Sequence, residues 1–405
     1  MTGAREAGSG AVRPAALARL RSPLMLALIA GLVISVEANL VRFVHLVAAH
    51  GRGGDFALYD WGARVGRARG WTHLYDSSLV GHPLLGFGAH LPALLTPPPM
   101  ILMVLPLSYL PYALADAVWM LLLGALLAIA FALAAPAGRW RMPYLLALAG
   151  LYPIAYTLFL GQSSAVVAAA LLFGWWLMRR HRHLAAGLVL SLICVKPQLV
   201  ILLPIALLVA RRWRTLVGWA VGAAVLAGGS VAAIGWGGVQ QYLGALRAPH
   251  AAQESAYTLA GILGHGPWTL AVQVAVVALA LLVAARSRRE PGVVLAAAVI
   301  ASAVMAPYWH FQDYLALVAV AAIQLAARPG MGAALIAAAM LLTGSPLLAG
   351  AAYVPAQLQV ALWPAIEAVW IVWLAWPVRG ARESGGAGNA GFRRLAEAPD
   401  VAAGA

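Results

Sequence analysis

Apolar runs of about 15–25 residues recur from Pro23 to Pro377, and runs of that length match the hydrocarbon core of a bilayer. In lipid every backbone N–H and C=O must be paired within the structure, so only helices and closed barrels can span it. A barrel needs roughly ten-residue strands of alternating polarity, and no such alternation is present. The expected fold is an all-α polytopic membrane protein. Composition agrees: 63% of the 405 residues are apolar and 10% are charged, whereas a soluble domain carries about 25% charged residues.

A formal net charge of +14 would suggest nucleic acid in a soluble protein. Here the arginines stand in short clusters between apolar runs: "RRHRH" (Arg179 to His183), "RRWR" (Arg211 to Arg214), "RSRRE" (Arg286 to Glu290) and a C-terminal "RGAR". That is the pattern of cytoplasmic turns under the positive-inside rule, and it argues for membrane lipid rather than nucleic acid as the partner. Cys194 is the only cysteine, which excludes an intramolecular disulfide and a thiolate metal cluster. The N-terminal basic run and first apolar segment read as a retained signal anchor, because the apolar part is too long for a cleaved signal and lacks a small-residue cleavage site. Lys196 is the sole lysine among 27 basic residues. In an Arg-, Ala- and Gly-rich chain of the kind a GC-rich bacterial genome encodes, a surviving lysine hints that arginine would not serve there.

Spans are predicted near 23–45, 97–110, 112–135, 142–160, 163–178, 184–195, 198–210, 214–235, 268–285, 291–306, 312–327, 331–349 and 357–377. The count is odd although both tails look cytoplasmic by charge, and 97–110, 184–195 and 198–210 are too short for a roughly 30 Å core. The expectation is about 12 crossings, with a short segment tilted or re-entrant beside protein or a watery cavity. A transmembrane domain over 23–378 then lies between cytoplasmic tails at 1–22 and 379–405, the second Gly/Ala-rich and disordered by composition. The outward segments would be the long first loop, 46–96, then Gly161 to Ser164, Val195 to Gln198, and the loops holding 236–266 and 306–311. Within the first loop, "FALYDWGARVGRARG" is predicted as an amphipathic helix with Phe56, Tyr59, Ala63 and Gly66 on one face, lying on the membrane surface. "TPPPM" (Thr96 to Met100) gives a stiff return into the membrane.

Acidic side chains are costly near hydrocarbon, yet Asp55, Asp60 and Asp76 crowd the first loop. Asp55, Lys196 in "CVKPQ" and His310 in "APYWHFQDY" share the expected outer side. Facing one cavity, these three suit transfer from a phosphate-bearing donor: the carboxylate as general base on an acceptor hydroxyl, the nitrogen bases steadying the departing phosphate. Each also has a plainer reading: Asp55 as a solvated loop residue, Lys196 snorkelling from a helix end, His310 as an interfacial residue with one hydrogen bond. Asp60 lies about 140° around a helix from Asp55, to orient the acceptor or stand in water, and Asp76 caps or orders the loop. Asp313 shares a helix face with His310 and either orients it or bonds between helices. Glu37 is a second acid for the cavity or a partner of Arg42. His250, Glu254 and His265 are candidates for touching the acceptor. No spacing of His and carboxylates suggests a metal site.

"GGDFALYDWGARVGRARGWTHLYD" followed by "TPPPM" resembles the first extracytoplasmic loop of the polyprenyl-phosphate-sugar-dependent glycosyltransferases of family 87, which have the GT-C fold and include mannosyltransferases and arabinofuranosyltransferases. "LFLGQSSAVVAAALL", "AAGLVLSLICVKPQLVILLPIALLVARRW" and "APYWHFQDYL" follow in the family's order, so the resemblance runs over roughly residues 25–330. It departs in "TPPP", where an aromatic often precedes the prolines, and in the apolar, histidine-bearing "VGHPLLGFGAHLPALL". The resemblance implies a GT-C-like bundle with Asp55 as catalytic base and Lys196 and His310 on the donor-phosphate side. It makes Gln162 a candidate for the substrate cavity, beside which Tyr59, Asp60, Gln198 and Asp313 are further candidates. It implies no cofactor: the donor, a polyprenyl-phosphate sugar with mannose favoured, is a substrate, and the acceptor is a glycolipid or glycan. The implied enzyme works with inversion on the outer face of a bacterial cytoplasmic membrane. The alternatives are a lipid or solute transporter or flippase, and a noncatalytic membrane subunit.

Overall fold

The computed structural model describes residues 23–50, 54–79, 94–136, 138–247, 258–327, 365–366 and 369–374. The expected tails, the span at 331–349, most of that at 357–377, and His250 and Glu254 lie outside the described residues. The helices run α1 Pro23–His50, α2 Gly54–Arg69, α3 Pro98–Val104, α4 Tyr112–Ala134, α5 Arg141–Ala149, α6 Tyr152–Leu160, α7 Ser164–Arg179 and α8 His183–Leu190. They continue with α9 Leu203–Val209, α10 Trp213–Arg247, α11 Leu259–Leu263, α12 Pro267–Arg286, α13 Pro291–Met305 and α14 Leu315–Ala327. No strand occurs among the described residues.

Prolines set many of the starts. Pro98, Pro153, Pro204, Pro267 and Pro291 each stand in the first turn of a helix, where the missing N–H has no intrahelical partner to lose. Pro97 is extended (φ −59°, ψ 142°) ahead of α3, as "TPPPM" predicts.

Among the described residues, four helices are long and apolar enough to cross a membrane: Leu26–Ala49, Tyr112–Ala134, Trp213–Arg247 and Pro267–Arg286. The pair α5 and α6, bent by 51° at its break, makes a fifth candidate. The other apolar helical stretches are 10–17 residues long. These two populations differ in burial. The long helices expose large side chains such as Leu40, Val41, Leu121, Leu122, Val225 and Leu270, the surface lipid would cover. In contrast α13 is buried at every residue but its first and last, and α7 and α14 are buried around most of their circumference. A helix apolar all round belongs in a core. Shielded by the long helices, short ones need not match the bilayer thickness. The expected short segments 184–195 and 198–210 are in fact helices prolonged by 3₁₀ turns, α8 with Ser191–Val195 and Pro197–Val200 ahead of α9.

Small residues let the backbones close. A Cβ on Gly187 of α8 would collide with the Thr215 carbonyl oxygen of α10, and one on Gly218 with that of Leu184. Such contacts are the usual basis of close helix pairs in membranes.

In the first loop, of which 51–53 and 80–93 lie outside the described residues, α2 buries Phe56, Tyr59, Ala63 and Gly66 together as expected. It also buries Asp60, Trp61 and Val65, so it is packed within the protein rather than laid on a membrane surface. 3₁₀ turns follow at Trp71–His73 and Ser77–Leu79. The expected loop 236–266 instead begins as helix. Gly235 takes φ 67°, ψ 172° and breaks α10 there, after which the chain resumes helical form to Arg247. This second part packs against the first loop, with the Tyr75 and Tyr242 rings 4.9 Å apart.

Candidate active site

The polar cluster is built around the turn between α6 and α7, "GQSS". Gly161 ends α6 in the left-handed region (φ 67°, ψ 33°), the usual helix stop for a residue without Cβ. Its carbonyl accepts from Trp119 Nε1 at 2.8 Å, so α4 holds the turn from one side. Phe56 stacks on Trp119 (5.9 Å), which brings the first turn of α2 against it. Acidic residues suit that first turn, and Asp55 occupies it.

Gln162 joins the elements. Its Oε1 accepts from Tyr59 OH (2.6 Å), Ser163 N (2.7 Å) and Ser163 Oγ (2.9 Å). Three donors on one atom identify it as the oxygen, which turns Nε2 towards Asp55, where it donates to Oδ2 at 2.6 Å. Burial first, and then the Asp55 carboxylate, push the Tyr59 phenol above its ordinary range, so it serves as a neutral donor. Two residues on, Ser164 Oγ donates to Asp313 Oδ1 (2.7 Å), and Lys196 Nζ reaches the same oxygen (2.6 Å) and Ser164 Oγ (3.2 Å). Asp313 Oδ2 accepts from the His310 backbone N–H at 3.2 Å. Two hydrogen-bonded groups thus meet along three consecutive residues: Gln162 and Ser163 hold Asp55 and Tyr59, and Ser164 holds the Lys196–Asp313 ion pair and, through Asp313, the start of the "HFQDY" turn.

The structure therefore assembles Asp55, Tyr59, Gln162, Lys196 and Asp313, with His310 joined through its backbone N–H. Lys196 is 6% exposed and does not snorkel: Asp313, itself fully buried, compensates its charge inside the protein. Asp313 bonds between helices as well as to His310.

Asp60 is not part of the cluster. It is neither solvated nor turned to Asp55: it is buried, and its Oδ2 accepts from Arg64 Nε, one turn on, at 2.6 Å. Burial outweighs that partner and pushes its carboxyl above the usual carboxylate range. Arg64 also donates to the Leu110 carbonyl, so the pair pins α2 to the chain after α3. Gln198 is half-buried and bonds to none of these residues.

Asp76 accepts from Ser78 N, which holds its carboxyl below its ordinary range and orders the loop. Glu37 is exposed and unpaired among the described residues. Its expected partner Arg42 lies instead over the Tyr152 ring, 4.2 Å from the centroid. His265 is exposed.

Sequence reading missed Ser163, Ser164 and Asp116. The serines carried a signal, a polar tetrad interrupting "LFLGQSSAVV". Asp116 stands within an apolar span, where a carboxylate is a functional candidate by default. It is 2% exposed, on the helix face of Tyr112 and Trp119, both of which touch Phe56.

The family model described as Glycosyltransferase family 87 matches residues 94–307, over half of the chain. The chain belongs to glycosyltransferase family 87. Membership makes it a membrane glycosyltransferase, with a sugar donor and an acceptor to bind. The matched region of this family 87 chain includes Gln162, Ser163, Ser164 and Lys196, while Asp55, Tyr59, His310 and Asp313 reach it through the bonds described above. No curated protein matches the chain, and no solved structure does.

Proposed function

We propose that this family 87 enzyme moves a sugar, mannose in the first instance, from a polyprenyl monophosphate carrier to a hydroxyl of a glycolipid or glycan acceptor. The single observation carrying this reading is the short run Gln162–Ser164, which bonds Asp55 at one end and the Lys196–Asp313 pair at the other. It sets a carboxylate and an ammonium group on residues 162 and 164, whose Cα atoms are at most about 7.6 Å apart at 3.8 Å per residue. Asp55 takes the proton of the acceptor hydroxyl as its oxygen attacks the anomeric carbon. The bond from that carbon to the phosphate oxygen breaks, its electron pair leaves with the lipid phosphate, and the configuration inverts. Lys196 has three N–H donors, of which Asp313 and Ser164 engage two. The third meets the phosphate, with His310 beside it. Charge placed in advance where it develops is the larger part of such catalysis. The reaction takes place on the outer face of a bacterial cytoplasmic membrane, and the short helices complete a bundle of about 12 crossings.

The test is sugar transfer in membranes offered a panel of labelled polyprenyl-phosphate sugars, with Asp55→Asn at matched expression. Transfer from one donor that falls about 10²–10⁴-fold in the variant supports the assignment. Transfer that persists at the wild-type rate removes Asp55 from the mechanism.

A further inference from the structure

The end of the bundle away from Asp55 holds a cavity of about 720 Å³. The same helices connect the two. α7 runs from Ser164 to Arg179, α8 and its 3₁₀ turn from His183 to Lys196, α9 from the Lys196 side to Arg211, and α13 from Pro291 towards His310. The 16 residues of α7 separate the two places by about 24 Å at 1.5 Å per residue.

The lining carries Arg179, Arg211, Arg212, Arg214, Arg288 and Arg289 and no carboxylate. Glu290 stands between two lining residues without itself lining the cavity, and two details show that the gathering is built. Nε and Nη2 of Arg212 are shut off from solvent and donate to nothing among the described residues. Thr215, 1% exposed and also in the lining, has a hydroxyl without a partner there. His181 (φ 59°) and Arg211 (φ 54°), also in the lining, are the left-handed stops after α7 and α9, where Arg182 N and Arg212 N donate back to the Leu177 and Leu207 carbonyls.

We propose that this cavity binds the phosphate head of an anionic lipid. Guanidinium forks, the half-buried one of Arg212 and the exposed ones around it, match phosphate oxygens, and basic pockets between membrane helices on the positive side suit lipid phosphates. The volume far exceeds one inorganic phosphate, leaving room for a head with more than one. The surroundings favour lipid over a soluble anion. Trp213, 55% exposed, stands in the lining as interfacial aromatics do, and α8 and α10 carry exposed Leu184, Leu188, Val217 and Val221, a surface for acyl chains. Separately, burial and then the Arg212 charge push His183 below its ordinary value, in keeping with excess positive charge at this end. The proposal stands apart from the sugar-transfer reading and is tested without it.

The experiment is native mass spectrometry of the full chain in detergent, titrated with cardiolipin, phosphatidylglycerol, phosphatidylcholine, or inorganic phosphate and pyrophosphate. We expect cardiolipin and phosphatidylglycerol to bind and phosphatidylcholine not to. Arg212→Gln should weaken that binding about tenfold, Arg212→Lys should restore part of it, and Asp55→Asn should leave it unchanged. Should Arg212→Gln fail to fold, the double change Arg288→Gln, Arg289→Gln at exposed positions serves in its place. Binding of free phosphate or pyrophosphate as tight as that of the lipids, and equally sensitive to the arginines, overturns the lipid assignment in favour of a soluble phosphate. Anionic lipid that binds no better than phosphatidylcholine, or binds regardless of these arginines, overturns the site itself.

Discussion

Lys196 and Asp313 meet at 2.6 Å with almost no solvent contact, so each depends on the other for compensation. Removing one partner of a buried pair leaves a bare charge and costs about 3–5 kcal/mol, whereas replacing both with neutral groups is far less harmful. We therefore expect Lys196→Met to lower the melting temperature in detergent sharply, and Lys196→Met with Asp313→Asn to recover most of it. Asn keeps an acceptor for Ser164. Both variants should have lost transfer, by about 10²–10³-fold; a double variant with normal transfer would reduce the pair to a structural device. Lys196 was legible in the sequence because it is the sole lysine, and Asp313 because it follows His310 at helical spacing. Asp60 was misread because its partner Arg64 lies one turn along the same helix, and a single face could not show that the carboxylate would be buried beneath a half-buried arginine.

The turn between α6 and α7 aligns everything else. Gly161 is in the left-handed region, and a Cβ there would lie 2.8 Å from Phe56 Cβ and 3.2 Å from Trp119 Cδ1. Gly161→Ala should thus cost about 1–2 kcal/mol in backbone conformation alone. The push on Phe56 also shifts α2 and with it Asp55, and a misplacement near 1 Å can cost about 10²-fold in rate. Gly124→Ala in α4, where a Cβ has no neighbour within 4 Å, should leave transfer intact and the melting temperature equal or higher, since alanine favours a helix by about 1 kcal/mol. Equal effects of the two changes on transfer would mean that the turn does not position Asp55. Element positions were legible because apolar runs and prolines mark helix limits. The bend in 142–160 was not, nor the helix after Gly235. Pro153 does mark the restart in the first, but the unbroken apolar run conceals it; after Gly235 the polarity pattern continues smoothly, and the break lies where Gly235 packs beside Thr72.

Across the whole molecule, polarity is arranged in two poles at opposite ends of α7, α8, α9 and α13. One holds Asp55 and the Lys196–Asp313 pair; the other gathers six arginines, with Glu290 beside them. The sequence showed the basic pole directly, through its clusters. The number of crossings was not legible in it, because buried inner helices and lipid-facing outer ones are equally apolar and only their packing separates them. The poles do predict an orientation, since basic ends are retained in the cytoplasm. In a Cys194→Ser background, Ser77→Cys lies exposed in the first loop and Arg286→Cys is exposed at the end of α12, on the basic side. A membrane-impermeant maleimide added to intact cells should label the first and spare the second until the membrane is permeabilised. The reverse pattern would turn the Asp55 pole to the cytoplasm and make the donor a lipid sugar presented on that face. Labelling of both from outside would place the two poles on one side, which a bundle whose shared helices run about 24 Å between them could satisfy only by lying in the membrane plane.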